Sequence, residues 1–146
     1  MFTFKDSEGR EYSAKVCCSA IDRVKAGAEL DLLDLDSPVI EQMTTNPARA
    51  IAVLWYLLPE DKRAVSWDEF RDSFSGEVLE KAIDAFMEDW TNFFHRPVIR
   101  DALKTMRTKF AEIIQKSLES ALTKASAEIE SKLGGNTPTG SQESAE

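Results

Sequence analysis

The side chains able to do chemistry in this chain are few. His95 is the only histidine, and Ser75, Asp84 and His95 supply the residue types of a nucleophile–base–acid triad. A triad needs its three groups within hydrogen-bond reach and its nucleophile on a strained turn. The Ser75-Gly76 context has no such turn, and Glu88, Asp89 and His95 are spaced on a helical run that need not converge. No Gly-rich phosphate cradle accompanies them. His95 is therefore read as the last residue of a helix, facing the negative end of its dipole. Cys17 and Cys18 are the only cysteines and are neighbours. Adjacent residues point in different directions, so they are read as two reduced, partly buried thiols rather than a bridge. One histidine and two thiols are too few for a zinc site without added carboxylates. The run Leu30-Asp-Leu-Leu-Asp-Leu-Asp36 lacks the loop glycine and terminal glutamate of a calcium-binding EF-hand. Its leucines are read as pinning the segment to a core. These residues imply no enzyme, no cofactor and no metal.

Composition narrows the class further. The 146 residues are 42% hydrophobic and 30% charged, with a net charge of −8. That describes one globular domain able to bury a core without disulfides. Residues 1–95 hold 10 Lys/Arg against 19 Asp/Glu, whereas residues 96–133 hold 8 against 5. An acidic body excludes nucleic acid as the main partner, because phosphate contacts need clustered cations. The longest apolar run, Ala50 to Leu58, is too short to span a bilayer, so no membrane partner is expected. The N-terminus carries no basic region followed by an apolar signal core. The expected location is the cytosol.

The elements that would position these groups follow from periodicity. Phe2-Thr-Phe-Lys and Tyr12-Ser-Ala-Lys-Val alternate apolar and polar residues around the turn-forming Asp6-Ser-Glu-Gly-Arg, which predicts a β-hairpin. A short helix over Ser19–Ala26 should close at Gly27 in a left-handed C-cap. Ser37-Pro38 and Asn46-Pro47 each set a capping side chain before a proline at a first helical position. The second opens a helix to Leu58, with Ala48, Ile51, Leu54, Trp55 and Leu58 on one face, widened by Ala50, Val53 and Leu57. In Ser66–Phe94, Phe70, Phe74, Val78, Ala82, Phe86, Trp90 and Phe94 recur every fourth residue. They form a broad apolar helical stripe, entered through the capping-box pair Ser66 and Glu69 and interrupted at Ser75-Gly76. Trp55, Phe86 and Trp90 should be largely buried. Pro97 restarts the chain, and no Pro or Gly intervenes from Val98 to Leu133. The first half of this long helix should pack on the body, and the part beyond about Ser117 should project or fray. Gly134–Glu146 is rich in Gly, Ser, Thr and Gln and is expected to be disordered. The fold class is thus mainly α: a small N-terminal β-hairpin, a helical domain, a long C-terminal helix and a disordered tail. The domain boundaries are 1–96, 97–133 and 134–146.

The order of these segments resembles the tail assembly chaperones of long-tailed bacteriophages. FTFKDSEGREYSAKV, AIDRVKAGAELDLLDL, NPARAIAVLWYLLPE and VSWDEFRDSFSGEVLEKAIDAFMEDWTNFF carry the resemblance, over about residues 1–115. It implies a small, helical, non-enzymatic protein of the host cytoplasm, absent from the mature virion. Such a protein binds the tape measure protein and keeps it soluble while the tail tube assembles around it. Many members also exist in a frameshifted, extended form that recruits tail tube subunits. The polar tail of this chain suits the unextended form. No motif of the family assigns individual residues.

The residues themselves agree with a helical client. A chaperone of long amphipathic chains needs apolar helix faces that accept many similar segments. Met106, Phe110, Ile113, Ile114 and Leu118 on the long helix are the candidate partner-binding residues, and an acidic body would keep the complex in solution. The alternative is a structural virion or adaptor protein that forms homo-oligomers through the same helix.

Overall fold

The computed structural model describes residues 1–132 in full and, for 133–145, only their inclusion in the last helix. The expectation for Gly134–Glu146 lies outside the described residues. The protein is mainly α with an N-terminal hairpin and a long final helix. Strands β1 (Phe2–Lys5) and β2 (Glu11–Ala14) pair antiparallel, with Phe4 opposite Tyr12 and Phe2 opposite Ala14. Alternation puts Phe2, Phe4, Tyr12 and Ala14 on the buried face and Thr3, Lys5, Glu11 and Ser13 outside. Two strands need a support. Phe70, Phe74 and Phe86 provide it, meeting Phe4, Tyr12 and Phe2 at ring-centroid distances of 5.3–6.4 Å.

Helices α1 (Cys18–Ala28), α2 (Val39–Thr45) and α3 (Pro47–Leu57) follow. The apolar side of α1, formed by Ala20, Ile21, Val24 and Ala28, packs on α3. In α3, Ala50, Ile51, Val53, Leu54 and Leu57 are buried, making it the centre of the core. Asn46 caps α3 as expected, its side chain accepting from the Arg49 amide at 3.1 Å.

Four details differ from the sequence reading. Gly27 does not end α1. A Cβ there would sit 2.3 Å from the Tyr56 ring, so glycine serves close approach, and the left-handed C-cap falls on Glu29 at φ 56. Ser37 is not a cap, because its hydroxyl donates to the Asp31 carbonyl and Pro38 occupies the cap position of α2. Ala48 is exposed and Trp55 only half-buried, because α3 turns Ala50, Val53 and Leu57 inward instead. Of the leucines in the aspartate-rich loop, Leu30 and Leu32 are buried but Leu33 and Leu35 are not.

After a 3-10 turn at Glu60–Lys62, the aromatic stretch forms α4 (Trp67–Asp72) and α5 (Gly76–Phe93). The break lies at Ser73–Ser75, and Gly76 enters α5 at φ 47, where a side chain would be strained. Ser66 caps α4 by accepting from the Glu69 amide at 3.3 Å. The return half of the capping box is absent from this pair. Glu69 turns its carboxylate to Arg10 instead, at 3.0 Å. Phe86 and Trp90 are fully buried on α5.

Helix α6 (Pro97–Ala145) closes the described chain. The protein divides into two compact units, Met1–Arg107 and Thr108–Glu146, so the division falls inside α6 rather than at Pro97. The first unit keeps the opening turns of α6 because Leu103 is buried there and Arg100 donates to the Phe94 carbonyl at 3.1 Å. Only Leu103 of the expected packing face is fully buried.

Candidate partner-binding surface

The triad residues are placed apart. Ser75 precedes α5 and His95 follows it, so 18 residues of helix hold them about 27 Å apart. The Ser75 hydroxyl lies 3.3 Å from that of Ser7, and Asp84 is exposed along the helix between. Asp89 has a structural partner set: it accepts from the N-terminal ammonium and from the Val16 amide, each at 2.9 Å. His95 sits in the exposed link between α5 and α6.

Cys17 occupies the cap position of α1, half-buried, and Cys18 is exposed rather than partly covered. The Ser19 hydroxyl 3.4 Å away pulls the Cys17 thiol below its ordinary value. Burial opposes this, while the amides of Ala20 and Ser19 and the Arg23 charge add to it. Among the described residues, no group of three or more His, Cys, Asp or Glu side chains could hold a metal ion. The aspartates of the leucine loop are engaged with their own backbone: Asp31 accepts from the Leu33 amide and Asp34 from that of Asp36, each at 3.0 Å. This is turn chemistry.

One polar cluster is built around a buried carboxylate. Asp6 in the hairpin turn accepts from the amides of Glu8 and Arg10, from Arg10 Nε at 2.8 Å and from the Tyr12 hydroxyl at 3.1 Å. Burial alone would raise its pKa. The donors from Arg10 and Tyr12, with the Arg10 charge, outweigh burial and hold the carboxyl below the ordinary value. Burial and the bond to Asp6 push the Tyr12 hydroxyl up. Arg10 continues to Glu69 and to Ser73 Oγ, each at 3.0 Å, so the cluster ties the hairpin turn to α4. In the sequence, Asp6 stands out only as a turn residue. The signal available was an aspartate four residues before an arginine with a tyrosine beyond it, which is too common to single out.

The five proposed partner-binding residues do not form one described surface. Met106, 47% exposed, belongs to the first unit, while Phe110, Ile113, Ile114 and Leu118 belong to the second. Within the second unit Ile113 is 60% and Leu118 56% exposed, whereas Phe110 and Ile114 are half-covered. The spacing of Phe110, Ile113, Ile114 and Leu118 puts them on one broad side of α6. Leu122 and Ile129, which the sequence reading placed in the thinner half of the helix, are also exposed. No residue from 108 to 132 is buried. In the first unit, Leu33, Leu35 and Val98 are exposed as well. Four leucines among four acidic residues in Glu29–Asp36 could have signalled that not all of them fit inside.

No described helix is long and apolar enough to cross a membrane. Comparison with known protein families, curated proteins and solved structures gives no match.

Proposed function

We propose that this protein is a non-enzymatic tail assembly chaperone of a long-tailed bacteriophage, which binds the tape measure protein in the host cytoplasm and leaves before the virion matures. The observation that carries the reading is the second unit. Ile113, Leu118, Leu122 and Ile129 stand exposed along a helix whose described part, 108–132, holds four lysines and four glutamates. Isolated exposed apolar residues are ordinary, but a run of them along one helix suits docking of another amphipathic chain. A client that repeats similar helical segments needs a surface that accepts each without demanding one sequence. The segment order quoted above supplies the identity of the client, and the same resemblance raises a frameshifted, extended form that recruits the tail tube protein.

Co-expression with the tape measure protein tests it. Ile113→Lys with Leu118→Lys should abolish co-purification, while far-UV circular dichroism and the melting transition stay within error of the parent. These positions are better probes than Phe110 and Ile114, whose partial burial confuses binding with folding. Double-lysine protein that folds and still brings down the client would refute this surface. Detection of the chain in purified particles by mass spectrometry would refute departure before maturation and favour an adaptor.

A further inference from the structure

One arginine of the first unit is stacked on aromatic rings without an acceptor. Past α3 and the 3-10 turn Glu60–Lys62, Arg63 folds back over the last turn of α3. Its guanidinium lies 4.7 Å from the centre of the Trp55 ring and 5.7 Å from that of Tyr56. Its Nε is buried with no hydrogen-bond partner. Arg10, Arg23, Arg49 and Arg100 each donate to an oxygen, and Arg71 is paired with Asp68 and Asp72. Arg63 meets no oxygen acceptor among the described residues. The two rings are themselves held in place. Trp55 lies 5.1 Å from buried Phe70 and 5.6 Å from Trp67. Tyr56 closes on Gly27, and Arg23 takes its carbonyl and that of Leu57. Trp55, Tyr56, Arg63 and Trp67 are all half-buried, so each keeps part of its surface in solvent.

We infer that Arg63 on this aromatic platform binds a carboxylate of a partner peptide, an Asp or Glu beside an aromatic or proline residue that packs on Trp55 and Trp67. Burying an N–H without an acceptor costs stability, so the fold gains nothing from sealing Nε there. A guanidinium laid flat on a ring keeps its in-plane Nη edge for a bidentate carboxylate. Stacking also removes in advance the side-chain freedom that a mobile arginine would lose on binding. Tryptophan, tyrosine and arginine are the residue types that anchor protein interfaces most strongly. Charge around the fork selects among anions. Exposed Glu60 and Asp61 precede Arg63, and exposed Asp68 and Asp72 follow on α4. A polyanion such as a nucleic acid or an anionic bilayer meets repulsion there. A single carboxylate in an otherwise apolar segment matches a single unanswered cation. Arg71 offers no second seat, because Asp68 and Asp72 already answer its charge. The surface uses nothing from 108–132, so it stands or falls apart from the chaperone reading.

The indole resonances of the full chain test it, because Trp55 and Trp67 are half-buried whereas Trp90 is fully buried. Titration with N-acetyl-phenylalaninate, a carboxylate beside an aromatic ring, should shift the Trp55 and Trp67 Nε1–H signals and leave that of Trp90 in place. N-acetyl-phenylalaninamide, which lacks the charge, should bind at least about tenfold more weakly. Random peptides selected on the immobilised protein should be enriched in Asp or Glu next to an aromatic or proline residue. Arg63→Lys keeps the charge but loses the fork, and it should weaken binding of both the acid and the selected peptides at least about tenfold. Arg63→Met should do the same while melting no lower than the parent, since it removes a buried donor that has no acceptor. Parent signals that stay still with both probes, or move equally with acid and amide, would overturn the inference. So would selected peptides without a carboxylate, or an Arg63→Lys variant that binds like the parent. Stronger shifts with duplex DNA or phosphatidylglycerol vesicles than with the acid would also overturn it, by putting a polyanion in place of the peptide.

Discussion

Asp6 shows how much one buried carboxylate can organise. Its side chain has no exposed surface, and its four donors come from three residues spread along the hairpin turn. Removing the acceptor leaves those donors facing a space that water reaches poorly, a loss of about 1–3 kcal/mol for such groups. Asp6→Ala should therefore lower the stability of the first unit by about that amount in urea unfolding. The pH dependence has a definite sign. The folded carboxyl titrates below its unfolded value, so its stabilisation is fully present above the ordinary carboxylate pKa of 3.8. It is lost as pH falls through the lower folded value, because the unfolded chain then binds the proton first. Stability measured from pH 6 downward should fall less steeply in Asp6→Asn than in the parent. Parallel curves for the two proteins would mean that Asp6 does not titrate with folding.

Helix ends decide the next scale. The C-terminus of α1 was expected at Gly27, yet the helix runs two positions further on before the backbone turns left-handed at Glu29. Arg49 engages this end, donating to the Ala28 carbonyl at 3.3 Å, while Gly27 is kept free of a Cβ by the Tyr56 ring. A side chain at positive φ costs about 1 kcal/mol relative to glycine. Glu29→Gly should consequently stabilise the protein by about 0.5–1 kcal/mol despite the greater entropy of the unfolded chain. Chemical denaturation of the two proteins under matched conditions measures this directly. A destabilised Glu29→Gly would show that the carboxylate makes an interaction worth more than the strain.

For the molecule as a whole, burial is concentrated in one unit. The hairpin, α1 to α5 and Leu103 supply the buried apolar side chains, whereas residues 108–132 contribute none. Isolated helices without tertiary packing are marginal in water. Amide exchange followed by mass spectrometry should find the slowest protons in α3 and α5, opening only with global unfolding, and much faster exchange across 108–132. Slow exchange throughout 108–132 in the free protein would mean that another copy covers the second unit in solution. Added tape measure protein should slow exchange in that stretch if the chaperone reading is right.

The elements themselves were legible in the order of residues along the chain. Alternation at Phe2–Lys5 and Tyr12–Val16, the Asn46-Pro47 and Ser66 helix starts, the fourfold spacing from Phe70 to Phe94 and the proline restart at Pro97 are local signals. Each acts within a few residues, through backbone sterics or hydrogen bonds that need no distant partner. Other features depend on residues far apart in the chain, which meet only on folding. Gly27 could not be read as a packing glycine without Tyr56, nor Glu69 as an ion-pair partner without Arg10. The leucine loop could not be divided into buried Leu32 and exposed Leu33 without the Trp90 indole that takes the Leu32 carbonyl. Burial along α6 was the least legible of all. Periodicity marks which side of a helix is apolar, but covering that side requires a neighbour, and only the fold supplies one at Leu103 and none at Ile113.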